Sequence, residues 1–581
     1  MLFYCILLLN FKLYAECQEE IKNNICQSDI LNNYFAEDRE KSCTRYNKRK
    51  LQSSMKFWKF SENQILYNTF PIDQLVSNHV RQVSNVLFSM VKPNILETDL
   101  KLAVFSEDVL TRILDMDSAI TETKDFVDFA SGNVLLKSSV PLSHRYGGHQ
   151  FGYWSGQLGD GRAHMLGEYV NNKNERWELQ LKGSGKTPYS RHGDGFAVIR
   201  SSVREFLCSE AMHYLGIPTS RAATLVVSKD PVIRDQFYNG NIKKERAAVV
   251  LRLAQSWFRF GSLEILAKKH EIPLLRKQVD FIIENYFPQV GNDDNKYLAF
   301  FNEVVKQTAE MIAQWMSVGF THGVMNTDNF SILSITIDYG PFGFLDEYNP
   351  EFVPNTSDDE ARYSYEKQPD VGFFNLDKLR IALAALLTDS QREQLKTGLN
   401  GLVLYTEVYK SKFMELFRKK LGLVGVEPND EYLVALLLKM MAEQNADFTM
   451  TFRELGELTI ENMRNNHIPS RLWALTHLFS NSNFKNWLIL YLKRIDTGDP
   501  DLEQQDNTRK SLMLKTNPRY ILRNWIAQSV IEKVENDDFS ELQKLSEILK
   551  RPFDYQIEAE LLGYADPPPK WASDIKVSCS S

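Results

Sequence analysis

Asp328, Asn329 and Asp338 are the side chains of this sequence best suited to holding a divalent metal on a nucleotide. They fall in one stretch, THGVMNTDNFSILSITIDYGPFGFLD, from Thr321 to Asp346. Asp328 and Asn329 sit on a turn. An apolar, β-branched run follows and is closed by Asp338-Tyr339-Gly340, so the sequence predicts a strand ending on a carboxylate. A loop carboxylate and amide followed by a strand-end acid is how kinase-type sites grip metal and phosphates. The pattern departs at one position. In H-R-D-x-x-x-x-N the catalytic Asp lies five residues before the Asn, and five before Asn329 is Val324. A valine cannot accept a proton, so the stretch suits a Mg–nucleotide but not ordinary kinase chemistry. The plain alternative is an Asx-rich turn ahead of a strand. The His322-Gly323 lead-in and Asp338-Tyr339-Gly340 speak against it.

Upstream residues supply the partners such a site needs. Gly156-Gln157-Leu158-Gly159-Asp160-Gly161-Arg162 is a glycine-dense turn ahead of a strand-like segment. Glycines let backbone amides approach phosphate without a Cβ in the way. Lys182 ends an alternating strand in which Trp177, Leu179 and Leu181 interleave with Glu178 and Gln180. A lysine there reaches nucleotide phosphates and pairs with a helix carboxylate. Glu205, in the next helix, is the natural partner for this structural ion pair, and Glu210 is the rival. The bland reading is a solvated lysine and an exposed glutamate. Arg191-His192-Gly193-Asp194-Gly195 is a second polar turn, either facing the nucleotide from the other side or simply a turn. Arg252 and Arg259 flank a strand end and offer guanidinium groups to phosphate or to surface salt bridges. Gly183-Ser184-Gly185-Lys186-Thr187 looks like the end of a P-loop. That motif needs a glycine where Gln180 stands, and Pro188 breaks the helix that should begin there.

Several elements must place these groups. Segments 164–170 and 177–182 read as strands, 199–215 as a helix stopped by Gly216 and Pro218, and 222–228 and 247–254 as buried strands. Segment 302–316 is an amphipathic helix, and 75–91 and 99–115 also show helical apolar spacing. From Asn375 to about Phe553 nearly every segment is helical, and the tail after Pro567 reads as extended. The order is glycine loop, strand, strand with Lys182, helix with Glu205, strands, helices, metal loop. That is the order of the two lobes of a kinase. The expected fold class is α+β, a two-lobed protein-kinase-like fold with an N-terminal decoration and a large helical C-terminal region. The expected layout is a leader or targeting extension over 1–54, a helical decoration over 55–145 and a nucleotide-binding core over 146–374. A helical region over 375–565 and an extended tail over 566–581 complete it.

The chain has 581 residues, 25% charged and 43% hydrophobic, with a net charge of −7. That suits two to four domains with a large core. No basic surplus marks a nucleic-acid partner, and no H-E-x-x-H or C-x-x-C marks a zinc site. Cys5, Cys17, Cys26 and Cys43 crowd the start while only Cys208 and Cys579 occupy the rest, which is not a disulfide framework. The apolar run Leu2 to Leu9 is too short to span a bilayer, so no transmembrane segment is expected. It lacks the basic start of a signal peptide, whereas Lys41 to Lys59 is basic and acid-free like a transit peptide. Met55 is an alternative start.

Together RYGGHQFGYWSGQLGDGRA, ELQLKGSGKTPYSRHGDG, REFLCSEAMHYLGIPTSRA, HGVMNTDN with TIDYGPFGFLD, NPRYILRN and the final CSS resemble the signatures of the selenoprotein O family, pseudokinase-like protein AMP transferases. The resemblance runs from about Asn68 to Ser581. It implies transfer of AMP from ATP to protein Ser, Thr or Tyr hydroxyls, with ATP flipped relative to protein kinases so that the α-phosphate meets the acceptor. It implies ATP contacts from Gly159, Gly161, Arg162, Lys182, Asp194, Gly195, Arg252, Arg259 and Asp338. It further implies Mg²⁺, with Mn²⁺ as the alternative, on Asn329 and Asp338, and a base at Asp328. A monomer acting on protein substrates is expected, in mitochondria by resemblance, with secretion or the cytoplasm as alternatives. His192 and Phe196 stand where the family usually carries arginines, which bears on affinity. Cys579 stands where vertebrate members carry selenocysteine, making it a redox candidate or an inert thiol, with Cys208 the only other cysteine of the body. The alternative function is a non-catalytic ATP-binding pseudokinase scaffold, opposed by Asp328, Asn329 and Asp338. A small-molecule kinase of the H-G-D type is opposed by Val324.

Overall fold

A nine-stranded mixed sheet forms one wall of the site, in the order β1-β2-β4-β7-β8-β11-β10-β3 with β9 beside β11. The computed structural model describes residues 51–395, 401–496 and 501–578. The strands are β1 (Ile72–Asp73), β2 (Phe88–Met90), β3 (Lys101–Phe105), β4 (Leu142–His144), β7 (Ala163–Val170), β8 (Arg176–Lys182), β9 (Ala197–Val198), β10 (Arg221–Asp235) and β11 (Ile242–Ala254). A separate hairpin joins β5 (Gly147–Gln150) to β6 (Tyr153–Gln157), and β12 (Phe320–Thr321) pairs with β13 (Gly343–Phe344). Helices α1 (Ile65–Thr69), α2 (Glu107–Arg112) and α3 (Lys124–Ser131) precede the long α4 (Ile199–Tyr214). After β11 come α5 (Phe260–Lys268), α6 (Ile272–Tyr286) and α7 (Lys296–Ser317), and then α8 (Gln368–Leu383), α9 (Asp389–Gln394), α10 (Leu402–Lys420) and α11 (Asp430–Glu443). The remainder is α12 (Phe448–Glu457), α13 (Ile460–Arg464), α14 (Trp473–Phe479), α15 (Ser482–Ile495), α16 (Leu502–Thr516), α17 (Asn524–Glu535), α18 (Ser540–Leu549) and α19 (Ile557–Leu561).

The alternation of β8 explains the layering. Leu179 and Leu181 point into an apolar cluster with Trp58, Phe60, Phe129 and Leu251, which seals the outer face of the sheet. Glu178, Gln180 and Lys182 point the other way, yet they too are buried. Their face looks into a cleft covered by α4 and the loops that follow α7. The second, larger core runs from α4 through α7 into the C-terminal helices.

Three expectations need correction. Residues 55–145 are not a helical decoration, because they supply β1 to β4 to the sheet and only three short helices, α1 to α3. Segment 75–91 is irregular up to β2, and 99–115 splits. Lys101–Phe105 adds to the edge of β10 before Ser106 caps α2 by accepting from the Val109 amide. Sheet pairing there overrides the helical spacing. Second, the β-branched run before Asp338 forms no strand. It doubles back through isolated bridges such as Phe330 to Thr336, with Ser334 and Asp338 in the left-handed region at φ 50° and 59°. Third, the expected boundary between 374 and 375 falls inside α8, which begins at Gln368. The tail is anchored rather than free. Lys570–Asp574 is a helical turn, and Val577 pairs with Asn355.

Lys420, at the end of α10, is buried with its ammonium 4.3 Å above the Phe452 ring, and among the described residues it has no ion-pair partner. Burial pushes its pKa from 10.5 down to about 7. The unfolded chain therefore holds more protons between those values, and stability rises with pH across that window. Lys420→Met is expected to stabilise the protein at pH 7 by about 1–3 kcal/mol, because the ring contact offsets part of the desolvation cost. The gain should shrink towards pH 10, as measured by thermal denaturation at the two pH values.

Candidate active site

A cleft of about 750 Å³ opens between the sheet and the loop that carries Asp328 and Asp338. Leu158–Ala163, Lys182 and the turn around Asp194 line one side, and Val324, Asp328, Asn329 and Asp338 line the other. The glycine loop sits over Tyr189. A Cβ on Gly159 would lie 2.5 Å from that ring, and one on Gly161 would lie 2.8 Å from the Tyr189 carbonyl. These glycines are thus already demanded by packing within the protein. Asp160 points inward and accepts from the Gln180 amide at 3.0 Å and from the His144 backbone at 3.2 Å.

Asp338 is the centre of the charge network. Arg252 donates to it at 2.5 Å, Lys182 at 3.3 Å, and Arg259 also donates to it. Lys182 pairs with Glu205 of α4 at 2.7 Å, and Arg252 reaches the other oxygen of Glu205 at 2.8 Å. The strand-end lysine therefore takes Glu205. The rival Glu210 is committed to Arg221 at 2.7 Å. Arg252 also makes two bonds to the Gln180 carbonyl oxygen, at 2.6 and 3.0 Å, and lies 4.3 Å over the Trp257 ring. Neither Arg252 nor Arg259 is a surface group, and both are almost fully buried. Burial opposes ionisation of Asp338, but Arg252, Arg259 and Lys182 outweigh it and hold its carboxyl well below the usual range. Burial likewise pulls the Lys182 pKa down, against the opposing pull of Glu205 and Asp338.

Asp328 is held differently. One oxygen accepts from the Gln150 amide at 3.3 Å, and the other, Oδ1, is buried without a hydrogen-bond partner. Burial pushes its pKa up to about 7 against the nearby Arg259. Arg259 also donates to the Asp328 backbone carbonyl at 2.8 Å, fixing the turn. Next to it, the Asn329 amide nitrogen donates to the Val324 carbonyl at 2.9 Å, leaving its Oδ1 as the free end. The His322 Nε2 donates to the Ile337 carbonyl at 3.0 Å and ties the turn to the residue before Asp338. Among the described residues no group of three or more His, Cys, Asp or Glu side chains is placed to hold a metal alone. An amide oxygen and a carboxylate nevertheless fit Mg²⁺, which is held by few protein oxygens plus phosphate and water.

The remaining expected residues are dispersed around the mouth. Arg162 lies at the cleft, with its backbone carbonyl accepting from Gly183 at 2.7 Å. Asp194 is at the lip and paired bidentately with Arg234 at 2.7 and 2.8 Å, while Gly195 accepts from the Gly185 amide at 3.0 Å. Gly183–Thr187 leads into turns with no helix, so the P-loop resemblance is void. Cys208 is buried in α4 with its thiol pushed up by burial, and Cys579 lies outside the described residues. Gln150, Asp160, Gln180 and Arg234 also belong to the site. Gln180 had a signal, since it shares the face of Lys182 at a spacing of two. Arg234, on a distant hairpin, had none. Lys576, Val577 and Ser578 of the tail line the cleft as well.

The profile of the family described as protein adenylyltransferase SelO matches residues 74–550. The chain belongs to the SelO family. Its relatives include a protein nucleotidyltransferase YdiU of Herminiimonas arsenicoxydans, 45% identical over 473 residues, covering 81% of this chain and 90% of that protein. A YdiU of Azoarcus sp. (strain BH72) is 40% identical over 524 residues, covering 88% and 97%. These SelO-family relatives are bacterial, and the mitochondrial expectation draws no support from them. No helix among the described residues is long and apolar enough to cross a membrane.

Removing one cation from this buried SelO-family network should be costly. Arg252→Met, at a site only 2% exposed, leaves Glu205 and Asp338 under-compensated and is expected to destabilise by about 3 kcal/mol. Chemical denaturation of the two proteins measures it.

Proposed function

We propose that this chain is a protein adenylyltransferase that moves AMP from Mg–ATP to Ser, Thr or Tyr hydroxyls of proteins, on a two-lobed kinase-like scaffold with the nucleotide flipped. The observation that carries the reading is the pairing of two unlike carboxylates. Asp338 is saturated with cations, whereas Asp328 presents a buried, unpartnered oxygen where Val324 offers no base. Asp328, on the wall of the cleft, takes the proton of the acceptor hydroxyl. The hydroxyl oxygen bonds to the α-phosphorus, the bond from that phosphorus to the bridging oxygen breaks, and pyrophosphate leaves. Lys182, Arg252 and Arg259 face the charge that grows on the departing group, in a site where burial strengthens their effect. Asn329 would hold Mg²⁺, or Mn²⁺, together with Asp338 once one of the cations on that carboxylate moves over to phosphate, and the bound ion would neutralise phosphate charge. Gly159, Gly161, Arg162, Asp194 and Gly195 shape the pocket around the nucleotide. Most of the acceleration comes from position and fixed charge rather than from a covalent step. The scaffold alternative leaves the bare oxygen of Asp328 without a purpose.

Intact-mass analysis of a panel of acceptor proteins, and of the chain itself, after incubation with Mg–ATP tests this. A gain of AMP is expected, reduced at least about 100-fold by Asp338→Ala; a gain of phosphate alone overturns it. Val324→Asp is expected to leave γ-phosphate transfer negligible, because orientation as well as the base differs. Efficient phosphorylation by that variant would refute the flipped nucleotide.

A further inference from the structure

The NPRYILRN motif contributes nothing to the reaction scheme above, yet Asn524 lines the cleft and Arg523 holds the segment that follows Asp338. Asn524 opens α17, and its Oδ1 accepts from Arg204 at 3.1 Å. Arg204 precedes Glu205 on α4. Its guanidinium also donates to the Phe342 carbonyl and lies 4.1 Å over the Phe342 ring, four residues beyond Asp338. Arg204 is buried and, among the described residues, has no carboxylate partner. Its contacts are an amide oxygen, a carbonyl and a ring, so they fix geometry rather than balance charge. The neighbouring Arg523 pairs with Asp346 at 2.6 Å and with Asp447, the cap of α12, at 2.9 Å. One helix end thus grips α4 on one side and the segment after Asp338 on the other, while α18 packs against α4 as well.

We propose that Asn524 and Arg204 are positioning residues for AMP transfer, through which the C-terminal helices hold α4 from outside and keep Glu205 on Lys182 and Arg252. Without that hold α4 keeps its packing on the sheet, but the turn that carries Glu205 loses its polar anchor. Lys182 then loses the carboxylate that aims it and turns to Asp338, which it already touches at 3.3 Å. A misplacement of the order of 1 Å at such a site costs about 100-fold in rate. The inference rests on the adenylyltransferase reading for its rate readout and not for its binding readout.

The test uses the full chain carrying Asn524→Leu, Asn524→Asp or Arg204→Lys, alone and combined with Glu205→Gln. Asn524→Leu removes the acceptor, and Arg204→Lys keeps the charge but loses the planar fork. Each is expected to lower kcat for AMP transfer by about 10- to 100-fold and to weaken Mg–ATP binding in a calorimetric titration. Melting temperatures should stay within a few degrees of the parent. Asn524→Asp, which still accepts from Arg204, is expected to keep at least half of the rate. The decisive measurement is the double-mutant cycle. If Asn524 acts through Glu205, Glu205→Gln with Asn524→Leu is no worse than Glu205→Gln alone, whereas a purely structural role gives additive losses. Additive losses, or unchanged kcat and ATP affinity in folded Asn524→Leu and Arg204→Lys, overturn the proposal. If Asn524→Leu does not fold, the cycle is run with Arg204→Lys. If the parent binds Mg–ATP but transfers no AMP, the functional reading falls, and the positioning role is decided by the ATP affinities in the same cycle.

Discussion

Burying the carboxylate of Asp338 without partners would cost several kcal/mol, and much of the site is arranged so that this cost is met. Lys182 from β8, Arg252 from β11 and Arg259 from the start of α5 converge on it. Glu205 then balances Lys182 and Arg252 from α4, and Gln180 braces Arg252 from the strand beside it. Each group is largely withdrawn from water and paired with the next. The network therefore has one good arrangement rather than several.

Chemistry confined to such a pocket needs walls, and the rest of the chain supplies them. Residues from Leu51 to the α3 region cover the outer face of the sheet, so the strand residues that face the cleft can be polar without exposing the reverse side to water. On the inner side, the apolar core runs without a break from α4 to α18. The large helical region is thus part of the support of the site.

Some of this was legible in the sequence. The pairing of Lys182 with Glu205 followed from a strand end and a helix face, and the two side chains lie 2.7 Å apart. The strands around β7, β8, β10 and β11 and the helices α4 and α7 followed from periodicity, although β10 and β11 run longer than expected. What failed did so for tertiary reasons. Lys101–Phe105 joins a sheet edge despite helical spacing, and the run after Asn329 folds on itself because its glycine-like turn at Ser334 is invisible in residue type. Arg252 and Arg259 were expected as phosphate ligands or surface groups. Their contacts to Asp338, Glu205 and Gln180 depend on strand register, which one sequence does not reveal. Arg234 and Asn524 reach the site from remote positions, and no spacing rule points to either.

The contact between Arg204 and Asn524 joins residues 320 positions apart. During synthesis at about 5–20 residues per second, the second partner leaves the ribosome roughly 15–60 s after the first. By the end of that interval the sheet, α4 and the loop with Asp328 and Asp338 have all been made, but the helix that clamps them has not. A growing chain therefore carries Lys182, Glu205, Arg252, Arg259 and Asp338 before it carries the brace at Asn524. Premature termination between Asp338 and Asn524 would leave a protein with these charged groups and without the contact that braces α4.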